Sequence, residues 1–472
     1  MQLAAQPLWA APQAVAPASQ QEYWAQFDRK DWDAAIASAE ALVATLRPAT
    51  PATALSLSEA LSLLGSAQLG KGNLVAAEAA FTESLKLAEQ RVSGSNARLV
   101  DPLRGLGYTL AAEGKHEQAV PYMDRALIVS RRNAGLFDIS QQGLLRQLTT
   151  SLTALGQPAD AERHMLYLLR VGEHAYGADD PRMAPLHCMV GEWYAQLGHM
   201  EVARQSFRTA LDIVESKLGR NSLAIVQPLR ALAESYPHEV LLSQYGIVTR
   251  QERLPSNVDG TGGDSEPLNP RYLSSDGERA LLRAIKVLDA NLDAKRPDAN
   301  RKLDAGKSDA DRSDENRPNE NRADTRHALV ETLLQTGDWF LMKQQPAKAL
   351  PYYERADAMI RKESAGAGSP NESVLGFPVQ IYYPIPSLAT RNLQRAPTEV
   401  EERFVQVEFT ARQDGSTADE RVTDHDATDR QISQTLEAIR DARYRPKFVD
   451  GKPVDTPMMS YRQVFRQRKD PE

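Results

Sequence analysis

The stretch Gly72 to Leu85, "GNLVAAEAAFTESL", decides how this chain is built. It opens on a glycine, repeats alanine, and then places one bulky ring, Phe81. The pattern returns as "GKHEQAVPYMDRAL" from Gly114, "GQPADAERHMLYLL" from Gly156 and "GHMEVARQSFRTAL" from Gly198. Aligned on the alanine five places after each glycine, Ala77, Ala119, Ala161 and Ala203 follow one another at a 42-residue step. One step earlier, Ala35 in "KDWDAAIASAEAL" marks a weaker first copy. Three further columns keep the step: the four glycines themselves, then Phe81, Met123, Met165 and Phe207, then Gly65, Gly107, Thr149 and Gly191. A fixed period of this size means stacked units, each covering its neighbour's apolar face.

Each unit reads as two helices. The first, such as Met189 to Leu197, ends at a glycine suited to a left-handed cap. The second begins just after and carries its alanines where the two helices approach most closely. Small side chains permit that approach, and the phenylalanine or methionine fills the space where neighbours diverge.

These columns resemble the tetratricopeptide repeat. In "VGEWYAQLGHMEVARQSFRTAL" the family's small, aromatic, glycine, alanine, aromatic and alanine positions are Gly191, Tyr194, Gly198, Ala203, Phe207 and Ala210. The usual unit has about 34 residues, and a 42-residue unit is similar to the kinesin-light-chain variety. The resemblance spans residues 22 to 236. It implies a mainly α chain, a tetratricopeptide-type right-handed helical solenoid, whose curved inner wall binds protein or peptide partners. After the fourth strong copy, "SLAIVQPLRALAESY" reads as a further first helix that ends at Pro237.

The repeat array is therefore placed at 21–237, followed by an irregular loop at 238–272 that contains "LPSNVDGTGGDSEPLNP". "SDGERALLRAIKVLDANL" is helical and offers a partner to the orphan helix at 223–236. Residues 294–324, full of Asp, Arg, Asn and Lys, lack the apolar content to fold and read as a disordered insertion within 273–363. The last copy, "LVETLLQTGDWFLMKQQPAKALPYYERADAMI", sets Gly337, Ala349, Tyr353 and Ala356 in the key columns. Residues 364–398 read as a linker.

From Arg403 the period changes to two. Val405, Val407, Phe409 and Ala411 share a face, and Asp414-Gly415 supplies a turn. A second short strand is expected at 421–423. Thr428 and Gln431 form a capping box for a helix with the stripe Ile432, Leu436 and Ile439. Asp450-Gly451 turns the chain into a last strand in which Met459, Tyr461 and Phe465 alternate. A small C-terminal α+β domain at 399–467 follows. This strand order, the "RPKFVDGKPV" block and the closing "VF" resemble the C-terminal domain of the TonB energy-transducer family. The resemblance implies periplasmic placement and pairing of an exposed strand edge, near Met459 and Tyr461, with a segment of an envelope protein. No anchor or proline-rich spacer stands in the residues read, so the expectation is peptide or protein binding rather than energy transduction.

Composition narrows the rest. The chain of 472 residues has 42% hydrophobic and 25% charged residues and a net charge of −7, which gives no basic field for nucleic acid. It has one cysteine, Cys188, so neither an internal disulfide nor a thiolate metal cluster can form. No run of apolar residues is long enough to span a membrane. The segment 1–20, with "MQLAAQPLWAAPQAVAPAS" at 1–19, reads either as the remnant of a secretion signal, with Ala14-Val15-Ala16 as its cleavage site, or as a disordered end.

On the array's inner wall, one column reads Ser62, Arg104, Arg146, Cys188 and Arg230 at the repeat step. Its three arginines suit a carboxylate or an acidic peptide, and Tyr108 adds a stacking face one turn beyond Arg104; solvated arginines on a polar face are the plain alternative. Cys188 reads as an inert buried thiol. "TDHDATD" around His425 has the look of a metal loop, but caps and solvent contacts account for it. "GTGGD" at Gly260 is too weak for a phosphate loop, and neither HExxH nor GxSxG is present. No catalytic, cofactor or metal residue is expected. The expected function is a non-catalytic periplasmic adaptor, binding one partner in the repeat groove and another at the C-terminal sheet edge. The alternatives are a cytoplasmic regulatory subunit that holds an enzyme through its repeats, or an enzyme with a groove site, for example around His187 and Glu192.

Overall fold

The computed structural model describes residues 18–47, 50–245, 269–293, 317–367, 374–390 and 400–468. The N-terminal stretch before residue 18, Gly260 and its surroundings, and 294–316 lie outside them. The fold is mainly α, with a small strand-bearing region at its C-terminal end. The chain divides into two compact units at Leu186 and His187.

In the first unit, helices pair in sequence: α1 (Ala18–Asp28), α2 (Trp32–Leu46), α3 (Ala54–Lys71), α4 (Leu74–Glu89), α5 (Val100–Ala112), α6 (His116–Ala134), α7 (Gln142–Ala154) and α8 (Pro158–Tyr176). Each packs on the next. Ala77, Ala119 and Ala161 are completely shielded, as is Ala35 in the weaker first copy. The Phe81 ring sits between two glycines. A Cβ at Gly65, in its own hairpin, would come within 2.9 Å of the ring, and one at Gly105, in the following helix α5, closer still. The small residues open the space, and the ring bridges one hairpin to the next. Gly72 adopts φ 88°, and the amides of Gly72 and Asn73 bond back to the Leu69 and Gln68 carbonyls at 3.0 and 2.9 Å. That left-handed turn closes α3 and lets α4 reverse direction.

A column that periodicity in apolar residues did not reveal lies in the links between units. Asn96, Asp138, Asp180 and Ser222, again at the 42-residue step, each accept a hydrogen bond from the amide two residues on. Each bond caps a short 3-10 turn leading into the next helix. Asn269 repeats it ahead of Arg271.

The second unit holds most of α9 (Ala184–Gln196), then α10 (Met200–Leu218), α11 (Val226–Gln244), α12 (Ser275–Asp293), α13 (Arg317–Met342) and α14 (Pro346–Ala367). Helix α11 does not end at Pro237; it runs through it to Gln244. Proline removes one helix hydrogen bond and crowds the preceding turn. Burial on both sides offsets this: Ala233, Tyr236 and Val240 are enclosed, and buried Glu239 pairs with buried Arg204 of α10. The Arg204 guanidinium also lies 4.2 Å over the Tyr236 ring. α12 packs on α11 as the partner the sequence suggested, and on α13. The last helix pair keeps the repeat: Ala349, Tyr353 and Ala356 are fully buried, and the Tyr353 ring lies against Gly337. Helix α13 begins at Arg317, inside the stretch 294–324 expected to be disordered, so the expectation fails for its last residues.

The C-terminal module comprises β1 (Val379–Tyr382), β2 (Val400–Ala411), β3 (Thr417–His425), α15 (Asp429–Asp441), β4 (Arg443–Arg445), β5 (Lys447–Val449), β6 (Lys452–Val454) and β7 (Thr456–Arg468). β3, β2 and β7 form an antiparallel sheet in that order, β1 pairs with β4, and β5 with β6. Val405, Val407, Phe409 and Ala411 face a core shared with Ile439, Tyr444 and Phe465. The capping box is closed: the Gln431 amide donates to Thr428 Oγ1 at 3.4 Å, and the Thr428 amide to Gln431 Oε1 at 2.9 Å. Asp450 and Gly451, at φ 49° and 83°, make the two-residue turn between β5 and β6. Two features differ from the sequence expectation. β3 is longer than 421–423, and the stretch expected as linker contains β1 and buried Leu375, Tyr383 and Ala389. These apolar side chains lie in an irregular run that gives no period.

Candidate interaction surfaces

In the first unit, the arginine column resolves into unequal members. Arg104, on α5, is nearly buried and pairs with Asp101 at 2.5 Å, so much of its charge is met internally. Tyr108, one turn on, is largely enclosed. Burial pushes its phenol up to about 12, while the charges of Arg104 and Arg146 pull it down. Helix α7, which carries Arg146, lies against α5, which carries Tyr108. Arg146 itself, on α7, is exposed and makes no ion pair among the described residues. The arrangement is a cation facing solvent beside a protonated phenol, suited to an oxyanion or carboxylate.

Arg230, on α11 in the second unit, is committed to α13. Its Nη1 lies 2.7 Å from Glu331 Oε2 and its Nε 3.2 Å from Gln335 Oε1. Gln335 in turn donates to Glu234 at 2.8 Å. Glu331, Gln335 and Asp338 stand at i, i+4 and i+7, one face of a helix. Asp338 ends that stripe by receiving three donors. Arg445 of β4 offers Nε at 3.0 Å and Nη2 at 2.5 Å, and Tyr353 Oη donates at 2.7 Å. Burial first, then the Asp338 charge and this bond, hold the Tyr353 phenol well above its usual range, so it remains a donor. Arg445 and Asp338 were not singled out from sequence. The "YRPKF" stretch gives no period, and the pairing joins residues 107 apart.

On the sheet, β7 has no strand on its other side among the described residues. It pairs with β2 in unbroken register from Val400↔Arg468 to Phe409↔Met459, with one shift at the far end. The opposite edge, β3, is interrupted by two register shifts and carries Asp419 at φ 56°, whereas β7 has a single shift, beside Met458 at φ 56°, and is regular from Met459 onward. Bulges and charges of that kind discourage pairing, whereas a straight edge invites it. Met459 and Tyr461 pack against the module core, Tyr461 with its ring centroid 4.5 Å from that of Tyr383. The side chains β7 turns to solvent include Met458 and Val464, and Arg462, whose guanidinium lies 3.6 Å over the Phe404 ring.

The remaining candidates are quieter. Cys188 is buried, and burial, with a smaller effect of Glu192, pushes its thiol up to about 12, so it carries no thiolate. Burial raises the Glu192 carboxyl above its ordinary value; His187 lies on the same helix. His425 ends β3 exposed, and its neighbour Asp426 accepts the Phe404 amide at 2.6 Å, closing the sheet rather than facing a cation. Among the described residues no group of three or more His, Cys, Asp or Glu could hold a metal ion, and no helix is long and apolar enough to cross a membrane.

No family model matches the chain. No curated protein matches it either. Among solved structures it is similar to BtubC (BKLC) from P. vanneervenii, at 17% identity over 62% of this chain and 99% of that one, with a TM-score of 0.40. It is similar to a tetratricopeptide repeat protein from Parabacteroides merdae, at 14% identity over 73% and 95%, with a TM-score of 0.37. The quorum sensor NprR from B. thuringiensis is similar at 12% identity over 72% and 86%, also with a TM-score of 0.37.

Proposed function

We propose that this chain is a non-catalytic adaptor of the bacterial periplasm that holds a protein or peptide partner on its helical hairpins and takes up a partner strand at β7. The observation that carries this is the β7 edge: a long strand, regularly paired from Met459 to Arg468, with no strand on its outer side among the described residues, in a module whose opposite edge is interrupted by two register shifts. Backbone groups on such an edge supply affinity, and alternate side chains supply selectivity. The order β2, Asp414-Gly415 turn, β3, α15, β7 supports the TonB-like reading of the module. That reading in turn supports the periplasmic assignment, with outer-membrane or other envelope proteins as partners. On the first unit, Arg146 beside Tyr108 and Arg104 supports an acidic group on the other partner.

The test uses photocrosslinking residues placed at Ser460 and at Gln142 of the full chain in living cells. Adducts to envelope proteins are expected from both, with the Ser460 adduct lost when Val464→Pro disrupts the edge and the Gln142 adduct lost in Arg146→Glu. Adducts confined to cytosolic proteins, or indifferent to both substitutions, sink the proposal.

A further inference from the structure

The last hairpin of a repeat array has a problem that inner hairpins lack. No following unit covers its outer end, and arrays of this kind need a terminal cap. Helix α13 ends in Trp339, Phe340, Leu341 and Met342, all buried: Trp339 lies against Gly277 and Tyr236 and Phe340 stacks on Tyr352, which leaves Leu341 to be covered by something beyond the helices. The Asp414-Gly415 turn lies there. Gly415, at φ 82°, comes so close that a Cβ would meet the Leu341 side chain at 2.8 Å and the Tyr444 carbonyl at 2.7 Å.

We infer that the C-terminal module is the folding cap of the last hairpin, latched to it by the Asp338–Arg445–Tyr353 cluster, so that α13, α14 and the module open as one unit. The latch is built of groups that are costly to separate. Arg445 and Asp338 meet in a bidentate pair mostly shielded from water, with side-chain exposures of 12% and 22%. Removing either leaves the other's charge poorly solvated. Tyr353, the buried filler of the hairpin, joins the same carboxylate. A second attachment lies on α11, where Gln244 Oε1 accepts the Ile385 amide at 2.7 Å. That bond exists because α11 continues past Pro237. Tyr383, two residues before Ile385, donates to Gln463 of β7 at 2.9 Å, so the edge strand is fixed to the helical body as well.

Native-state hydrogen exchange of the full chain, followed at rising denaturant, tests this. Amides at 333–342, 353–360 and 443–449 are expected to share one opening with a common denaturant dependence. Module amides that open at lower denaturant while α13 keeps its protection would overturn the inference. Arg445→Met is expected to speed exchange at least tenfold in α13 and in the module, leaving α3 to α6 unchanged. Acceleration confined to 443–445 would overturn it. Adding Asp338→Asn is expected to slow the exchange of Arg445→Met back toward that of the unaltered chain, since it removes the carboxylate charge left unpaired; further acceleration that multiplies the first would count against the latch. If Arg445→Met does not fold, the denaturant series on the unaltered chain decides alone.

Discussion

Phe81 and Tyr353 hold the same place in their hairpins, the second helix's ring lying against the first helix's glycine, yet they do different things. Phe81 is dry: it presses on Gly65 in its own hairpin and Gly105 in the next, and the array continues. Tyr353 presses on Gly337 but carries a hydroxyl, and the hydroxyl goes to Asp338, where Arg445 of the module joins it. A purely apolar filler suits a junction between like units. A filler with a polar tip suits the place where the array meets something else, because the tip can be satisfied only by a specific partner.

The largest effect that bears on this contrast is expected from Phe81→Ala, which empties a fully enclosed site; about 3–5 kcal/mol should be lost in chemical denaturation of the first unit. A much smaller loss would mean that neighbouring hairpins collapse into the gap and do not depend on the ring. Next comes Tyr353→Phe, expected to cost about 1.5–3 kcal/mol in the second unit because Asp338 loses a donor. Phe81→Tyr should also destabilise, by about 1–3 kcal/mol, since its hydroxyl would find no assigned partner between two glycines. If both swaps proved neutral, the two columns would be equivalent and the contrast would fall.

Within the module, Thr428→Ala removes the α15 cap and should lower stability by about 1 kcal/mol, read from its thermal unfolding. Arg125→Met, which breaks an exposed pair with Glu89, should cost about 0.2–1 kcal/mol, so that a loss matching the latch variants would undo the distinction between surface and shielded pairs. The subtlest signal is a slope with pH in the first unit. Burial lowers the His164 imidazole below 6.5 in the fold. The unfolded chain therefore binds more protons in the interval just below that value, so stability rises with pH across the interval and is complete above it. Asp124, raised by burial above 3.8, acts in the opposite sense at lower pH. Replacing His164 with Gln should flatten the melting temperature profile below 6.5; an unchanged profile would remove His164 as its cause.

The 42-residue columns were legible because shielded alanines, ring fillers and cap glycines each answer to local geometry that repeats. The capping box at Thr428 and the Asp450-Gly451 turn were legible for the same reason: their partners lie within three residues. The polar 3-10 caps from Asn96 to Ser222 were equally periodic, and a search for repeated Asn, Asp and Ser would have found them. Pro237 misled because its local penalty is real but is outweighed by Tyr236, Val240 and the Arg204–Glu239 pair, whose contributions depend on neighbouring helices. The candidate surfaces divided along the same line. The arginine column could be aligned from sequence, but only packing decided that Arg104 and Arg230 are met by carboxylates while Arg146 faces water.

By itself, then, the chain's sequence determined the helical hairpins, their step and the strand-bearing end, since those follow from spacing along the backbone. Tertiary structure alone decided which sheet edge lacks a neighbour among the described residues, which arginine remains exposed and how the module is held to α13. Each of those depends on groups distant in sequence that meet only after the chain has packed, where burial and charge pairing set their chemistry.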